Sequence, residues 1–197
     1  MALDFPSKSD VLVRPALRGE DPMMNACFMF GTWDLYATGY QRAATRLYEW
    51  IAEHHAEQDS LVYPFVFNWR MSAELRLKEL IWLGRFLTDR PAVTKWSHSL
   101  DHLWGEARSL LDEIDHHESF DAVGDVIKQL SALDPDSQRT RYPFHKKDGE
   151  SFPPGTPNLS LENFQAVMLK LAAFFDASTA HLAQMTDWKG EQIEYER

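Results

Sequence analysis

Charged residues on the wrong side of one long helix constrain this chain more than any other feature. The run from Tyr63 to Ile81 reads YPFVFNWRMSAELRLKELI, and at about 100° per residue its apolar positions follow a helical period. Asn68, Ser72, Arg76 and Glu79 share one polar face, while Arg70 and Glu74 fall opposite, among Val66, Phe67, Met71, Ala73 and Leu77. A helix of a compact domain turns its polar stripe to water and its apolar stripe to the core. The spacing therefore predicts that Arg70 and Glu74 point inward or into a cleft. Ionised side chains are almost never buried without partners, so the pair is either a structural brace or part of a site. Lys78 extends the ladder by a further four residues. Once buried, Glu74 holds Arg70 in a fixed direction, leaving guanidinium donors for a loop carbonyl, a carboxylate or a phosphate.

A length of 197 residues fits one domain with a substantial core. An apolar share of 44% excludes disorder even at a formal net charge of −10. That acidic balance argues against broad nucleic-acid binding, which needs clustered cations. The local exception is Arg139, Arg141, Lys146 and Lys147, with His145 among them. Cys27 stands alone, so an internal disulfide is excluded and a reducing cytoplasm is the expected location. The opening residues carry acids and prolines rather than a secretory signal. No stretch reads as a membrane span of about 20 apolar residues, so no membrane partner is expected.

Residues 1–31 show weak periodicity and read as an arm with a short turn within 23–30. Five helical patterns follow, over 33–57, 60–87, 97–116, 120–133 and 160–187. Thr32 is the expected cap of the first, Pro64 lies in the opening turn of the second, and Asp134-Pro135 ends the fourth. Residues 134–158 are rich in proline and form a long irregular crossover, a length that compact domains often reserve for function. A short extended piece at 139–144 is the one strand-like feature. The expected fold is all-α, a helical bundle of five helices with the irregular crossover before the last. Its expected organisation is an arm (1–31), the bundle (32–190) and a tail (191–197).

Eight histidines raise the question of a metal. His98 and His102 lie one helical turn apart, and Glu113 and His116 have the Glu-x-x-His spacing of carboxylate-bridged di-metal bundles. Such a centre needs a second pair and two further inward glutamates, and no other histidine has a glutamate three residues before it. No metal and no cofactor are expected. Cys27 reads as a small apolar residue, and no glycine-rich phosphate loop is present.

Tyr63-Pro64 leading into Trp69-Arg70, then Glu74-Leu75 and Leu77-Lys78-Glu79-Leu80, resembles the second-helix signature of a group of bacterial HEPN-like domains. Trp33, Tyr36, Gly39-Tyr40 and Arg42-Ala43-Ala44 in the first helix are similar as well. So are His98-Ser99-Leu100 followed by Leu103-Trp104, and Arg141-Tyr142-Pro143 in the crossover. The likeness spans roughly residues 33–185. It implies an up-and-down bundle, often homodimeric. Members act in RNA cleavage, toxin–antitoxin pairs and phage defence, and others are non-catalytic binding modules. The ribonuclease members carry an Arg followed, after four to six residues, by a His. The two meet across a dimer cleft, where His serves as acid or base and Arg stabilises phosphate charge. Arg139 and His145 match that spacing here, with Pro143 between them.

Two expectations follow from the resemblance. In one, the chain binds or cleaves RNA or a nucleotide in a toxin–antitoxin or phage-defence setting, through Arg70, Glu74, Lys78, Arg139, Arg141 and Tyr142, with His98 or His145 exchanging the proton. In the other it is a non-catalytic homodimeric interaction module, with an antitoxin-like partner protein, and the Arg70–Glu74 pair is a brace.

Overall fold

The computed structural model describes residues 31–144, Phe152 and 158–195, together with 12, 19, 21–24 and 26. The chain divides into two units, Met1–Gly31 and Thr32–Arg197. Among the described residues of the first, a 3-10 turn, Pro22–Met24, is held by Asp21, whose Oδ1 accepts the Met23 N–H at 2.9 Å.

The second unit is an all-α bundle: α1 (Trp33–His54), α2 (Gln58–Leu87), α3 (Leu100–Ile114), α4 (Phe120–Leu133) and α5 (Leu161–Tyr195), with no strand among the described residues. α2 is its axis, packed against α1, α3 and α5, while α4 lies on α3. The core follows from that placement. Phe65, Trp69, Leu77 and Ile81 of α2 are buried with Leu100 and Leu103 of α3, Ile127 of α4, and Phe175 and Leu182 of α5. Each such side chain contributes about 1.5–3 kcal/mol of burial. The α1–α2 reversal is tight because His55 and Glu57 both adopt left-handed backbone, φ 49° and 59°. The His55 N–H closes α1 on the Ile51 carbonyl at 2.8 Å.

Several boundaries differ from the periodicity, each for a local reason. α3 starts at Leu100 instead of 97, because Ser99 is its N-cap, its Oγ accepting the His102 N–H at 3.4 Å. Thr32 occupies the N-cap position of α1 but makes no side-chain cap bond. α5 runs on to Tyr195, so most of the expected tail is helix. Lys189 fastens that extension, its Nζ reaching the carbonyls of Phe86 (3.1 Å) and Leu87 (3.0 Å) and Asp89 Oδ1 (2.6 Å). Unpaired carbonyls and the dipole at the end of α2 favour a cation there. Residues 139–142 form turns and a loop rather than an extended piece. By length and composition alone α5 could cross a membrane, a property the sequence reading did not anticipate. Its Met168, Leu171, Phe175 and Leu182 are buried in the bundle core, so one face of this helix packs against the rest of the bundle.

Candidate functional site

Arg70 and Glu74 occupy the inner face of α2, at 0% and 1% exposure. Arg70 Nη1 donates to Glu74 Oε2 at 2.9 Å, and Nε donates to the Asp134 carbonyl at 2.7 Å. Nη2 donates to the carbonyls of His98 (2.8 Å) and Pro135 (3.5 Å). The second carboxylate oxygen of Glu74, Oε1, accepts from Lys78 Nζ at 2.7 Å and lies 2.9 Å from His98 Nδ1. Burial alone would push the Glu74 carboxyl up. The hydrogen bonds from Lys78 and His98, the Lys78 charge and the Arg70 bond outweigh it and hold the group below the ordinary carboxylate range. Glu74 is therefore the ionised counter-ion of two buried cations, with the surplus positive charge spread over main-chain carbonyls.

Of the acceptors its sequence left open, Arg70 takes loop carbonyls. All three guanidinium nitrogens are committed to protein acceptors, and no surface of the side chain reaches solvent. Glu74 and Lys78 are enclosed with it, Lys78 at 6% exposure. His98 is the one member of the network at the surface, its side chain 74% exposed. A buried carboxylate orienting an imidazole is how an acid–base histidine is held in place. Here the imidazole stands in open solvent rather than in a cleft.

The arginine also anchors the crossover. Asp134, whose carbonyl it binds, is fully buried, and its carboxylate collects the N–H groups of Gln138 (2.8 Å), Arg139 (3.0 Å) and Thr140 (3.4 Å). The Thr140 hydroxyl donates to the same carboxylate at 2.6 Å. The start of the crossover is wound around one acid, which uses the donors an extended strand would have presented. Beyond it, Arg141 Nε donates to the Ser137 carbonyl, and the guanidinium lies 5.7 Å from the Phe67 ring centre and 5.6 Å from that of Tyr142. The crossover thus packs along α2 beside the arginine.

The structure joins Arg70, Glu74, Lys78 and His98 in one network and sets Arg141 and Tyr142 together in a surface cluster next to it. Arg139 enters through its backbone, as a donor to Asp134. His145, Lys146, Lys147 and Cys27 lie outside the described residues. The Glu-x-x-His pair is divided, Glu113 pairing with Arg90 and His116 Nδ1 lying against Asp112 Oδ1, each at 2.5 Å. Among the described residues no group of three His, Cys, Asp or Glu side chains is placed to hold an ion.

A second buried centre escaped the sequence reading. Arg76, expected on the solvent face, is 5% exposed. Its Nη1 donates to Glu79 Oε2 and Asp34 Oδ1, both at 2.8 Å, and Nη2 donates to Asp176 Oδ1 at 2.8 Å and Thr38 Oγ1 at 3.3 Å. Three carboxylates face one guanidinium. Burial raises the Glu79 carboxyl, Arg76 pulls it down, and the charges of Asp34 and Asp176 raise it again, leaving it above the ordinary range. The centre ties α1, α2 and α5 together. Its trace in the sequence, Arg76 three residues before Glu79, is the same as that of a solvated surface pair.

No family model, no curated protein and no solved structure matches this chain.

Proposed function

We propose that the chain is a HEPN-like helical module that works by binding rather than by catalysis. It is a homodimeric or partner-protein-binding bundle of the cytoplasm, in a toxin–antitoxin or phage-defence setting. One observation carries this reading: Arg70, the cation that an RNA-cleaving site would aim at phosphate, has its three nitrogens on protein acceptors at 0% exposure. The pair is a brace, tying α2 to the loop before α3 and to the crossover. The net charge of −10 supports a protein partner over a nucleic acid. The test incubates the purified full chain with single-stranded and hairpin RNA and measures its mass by sedimentation equilibrium. The reading predicts a concentration-dependent dimer or capture of one partner, with RNA left intact. RNA turnover that disappears in His98→Ala would overturn it.

The His98–Glu74 contact favours a second reading, RNA binding or cleavage. In that scheme Glu74 orients His98, whose Nε2 exchanges the proton, and Arg141, Tyr142 and Arg139 bind phosphate, with His145 as the other acid or base. It predicts that Arg141→Ala weakens RNA binding and that His98→Ala removes turnover without unfolding the bundle. Unchanged RNA binding in a folded Arg141→Ala protein would reject it.

A further inference from the structure

Outside both arginine centres, the end of α3, the start of α4 and the middle of α5 diverge around a cavity of about 230 Å³. Its walls are apolar, formed by Leu111, Ile114, Phe120, Phe174 and Leu182. Phe120 and Phe174 meet edge-on, ring centres 6.0 Å apart at 81°, and both pack on Trp104. The rim is polar, carrying Asp115, His117, Ser119, Ser178 and His181.

The volume sets the size of an occupant. An apolar cavity of about 150 Å³ accepts benzene, so this one takes a single six-membered ring with a small substituent. The rim sets the substituent. The Ser119 N–H donates to His117 Nδ1 at 3.1 Å, and Ser119 Oγ lies 2.8 Å from the same nitrogen. With Nδ1 accepting the Ser119 N–H, Nε2 is the ring position left to donate. Asp115 Oδ2 stands 3.7 Å from His181 Nε2 and adds a carboxylate acceptor to the rim. A rim with both an N–H donor and a carboxylate suits a hydroxyl, which donates and accepts at once. A ligand carboxylate would face the charge of Asp115 instead.

The surroundings decide between a free ligand and a side chain presented by another protein. Asp115 and His117, which line the cleft itself, are exposed. Centres of protein–protein interfaces are depleted in charged groups. We infer that this cleft binds a free monocyclic phenol, its ring packed against the wall that Phe120 and Phe174 form together and its hydroxyl at the Asp115/His117/His181 rim. The inference is independent of the interaction-module reading.

Titration of the full chain with p-cresol, followed by two-dimensional NMR, tests it. The expected result is a saturable shift of the Ser119, Ala177 and Leu182 amides with a Kd on the order of 1 mM. Toluene, lacking the hydroxyl, should bind about fivefold more weakly. Ala177→Phe places a ring in the cleft from an exposed position on α5 and should weaken p-cresol at least tenfold. Ser178→Phe is the second blocking variant, used if the first fails to fold. Shifts that do not saturate, or p-cresol binding unchanged in a folded blocking variant, would overturn the site. Toluene binding as tightly as p-cresol would remove the role of the rim. N-acetyltyrosinamide binding more tightly than p-cresol would transfer the cleft to a partner's side chain and reject the free ligand.

Discussion

α2 buries two arginines and pairs them in opposite ways. At Arg70 the cations outnumber the anions: Arg70 and Lys78 share Glu74, and three main-chain carbonyls take the Nε and Nη2 donors of Arg70. At Arg76 the anions outnumber the cation, with Asp34, Glu79 and Asp176 on one guanidinium. The two glutamates report the difference. Glu74 sits below the ordinary range and Glu79 above it, although burial pushes both upward. A buried guanidinium needs acceptors, and the kind of acceptor decides the local field. The first centre fastens loops to a helix; the second fastens helices to each other.

The largest expected effect breaks the first centre. Arg70→Met leaves the Asp134 and His98 carbonyls without this donor and Glu74 with only Lys78 and His98, and should cost about 3–5 kcal/mol in urea unfolding. Arg76→Met should cost less, about 1–3 kcal/mol, because the side chains of Asp34 and Asp176 are 61% and 55% exposed and can rehydrate. A greater loss at Arg76 would reverse the ranking of the two centres.

Acid titration sharpens the contrast through its sign. The folded-state pKa of Glu74 is lowered, so its stabilisation is present above the unfolded value of about 4.3 and disappears as pH falls through the lower folded value. Glu79 is raised, so its contribution is present below about 4.3 and is lost as pH rises through the higher folded value. Glu74→Gln should therefore flatten the acid limb of a stability–pH curve. Glu79→Gln should remove a decline on the neutral side of that value. Identical curves for the two variants would mean that the centres do not differ electrostatically. The smallest effects lie at the edge of the first centre. His98→Ala and Arg141→Ala should each cost under about 1 kcal/mol, since both side chains work at the surface.

The helical phase of Arg70 and Glu74 was legible from the sequence because their neighbours at helical spacing are apolar, and the structure buries both. Arg76 was not, because the same argument assumes that a helix has one wet side. α2 has none along that stretch, being covered by α1, α3 and α5. Asp134 read only as the stop before Pro135. Its carboxylate gathers donors from its own chain, a role that a turn of any sequence can hide. The position of His98 was informative for a reason the sequence could not supply: its carbonyl, as much as its ring, belongs to the network. The cleft between α3, α4 and α5 depends on how far three helices diverge, which periodicity does not encode.

Arg70 recognises the loops before α3 and after α4 through the carbonyls of His98, Asp134 and Pro135, never through their side chains. Such an anchor reads the path of the main chain and is indifferent to what the loops display outward. The outer faces of both segments can therefore change in sequence while the scaffold keeps its grip. Only a change in loop length or course would loosen it.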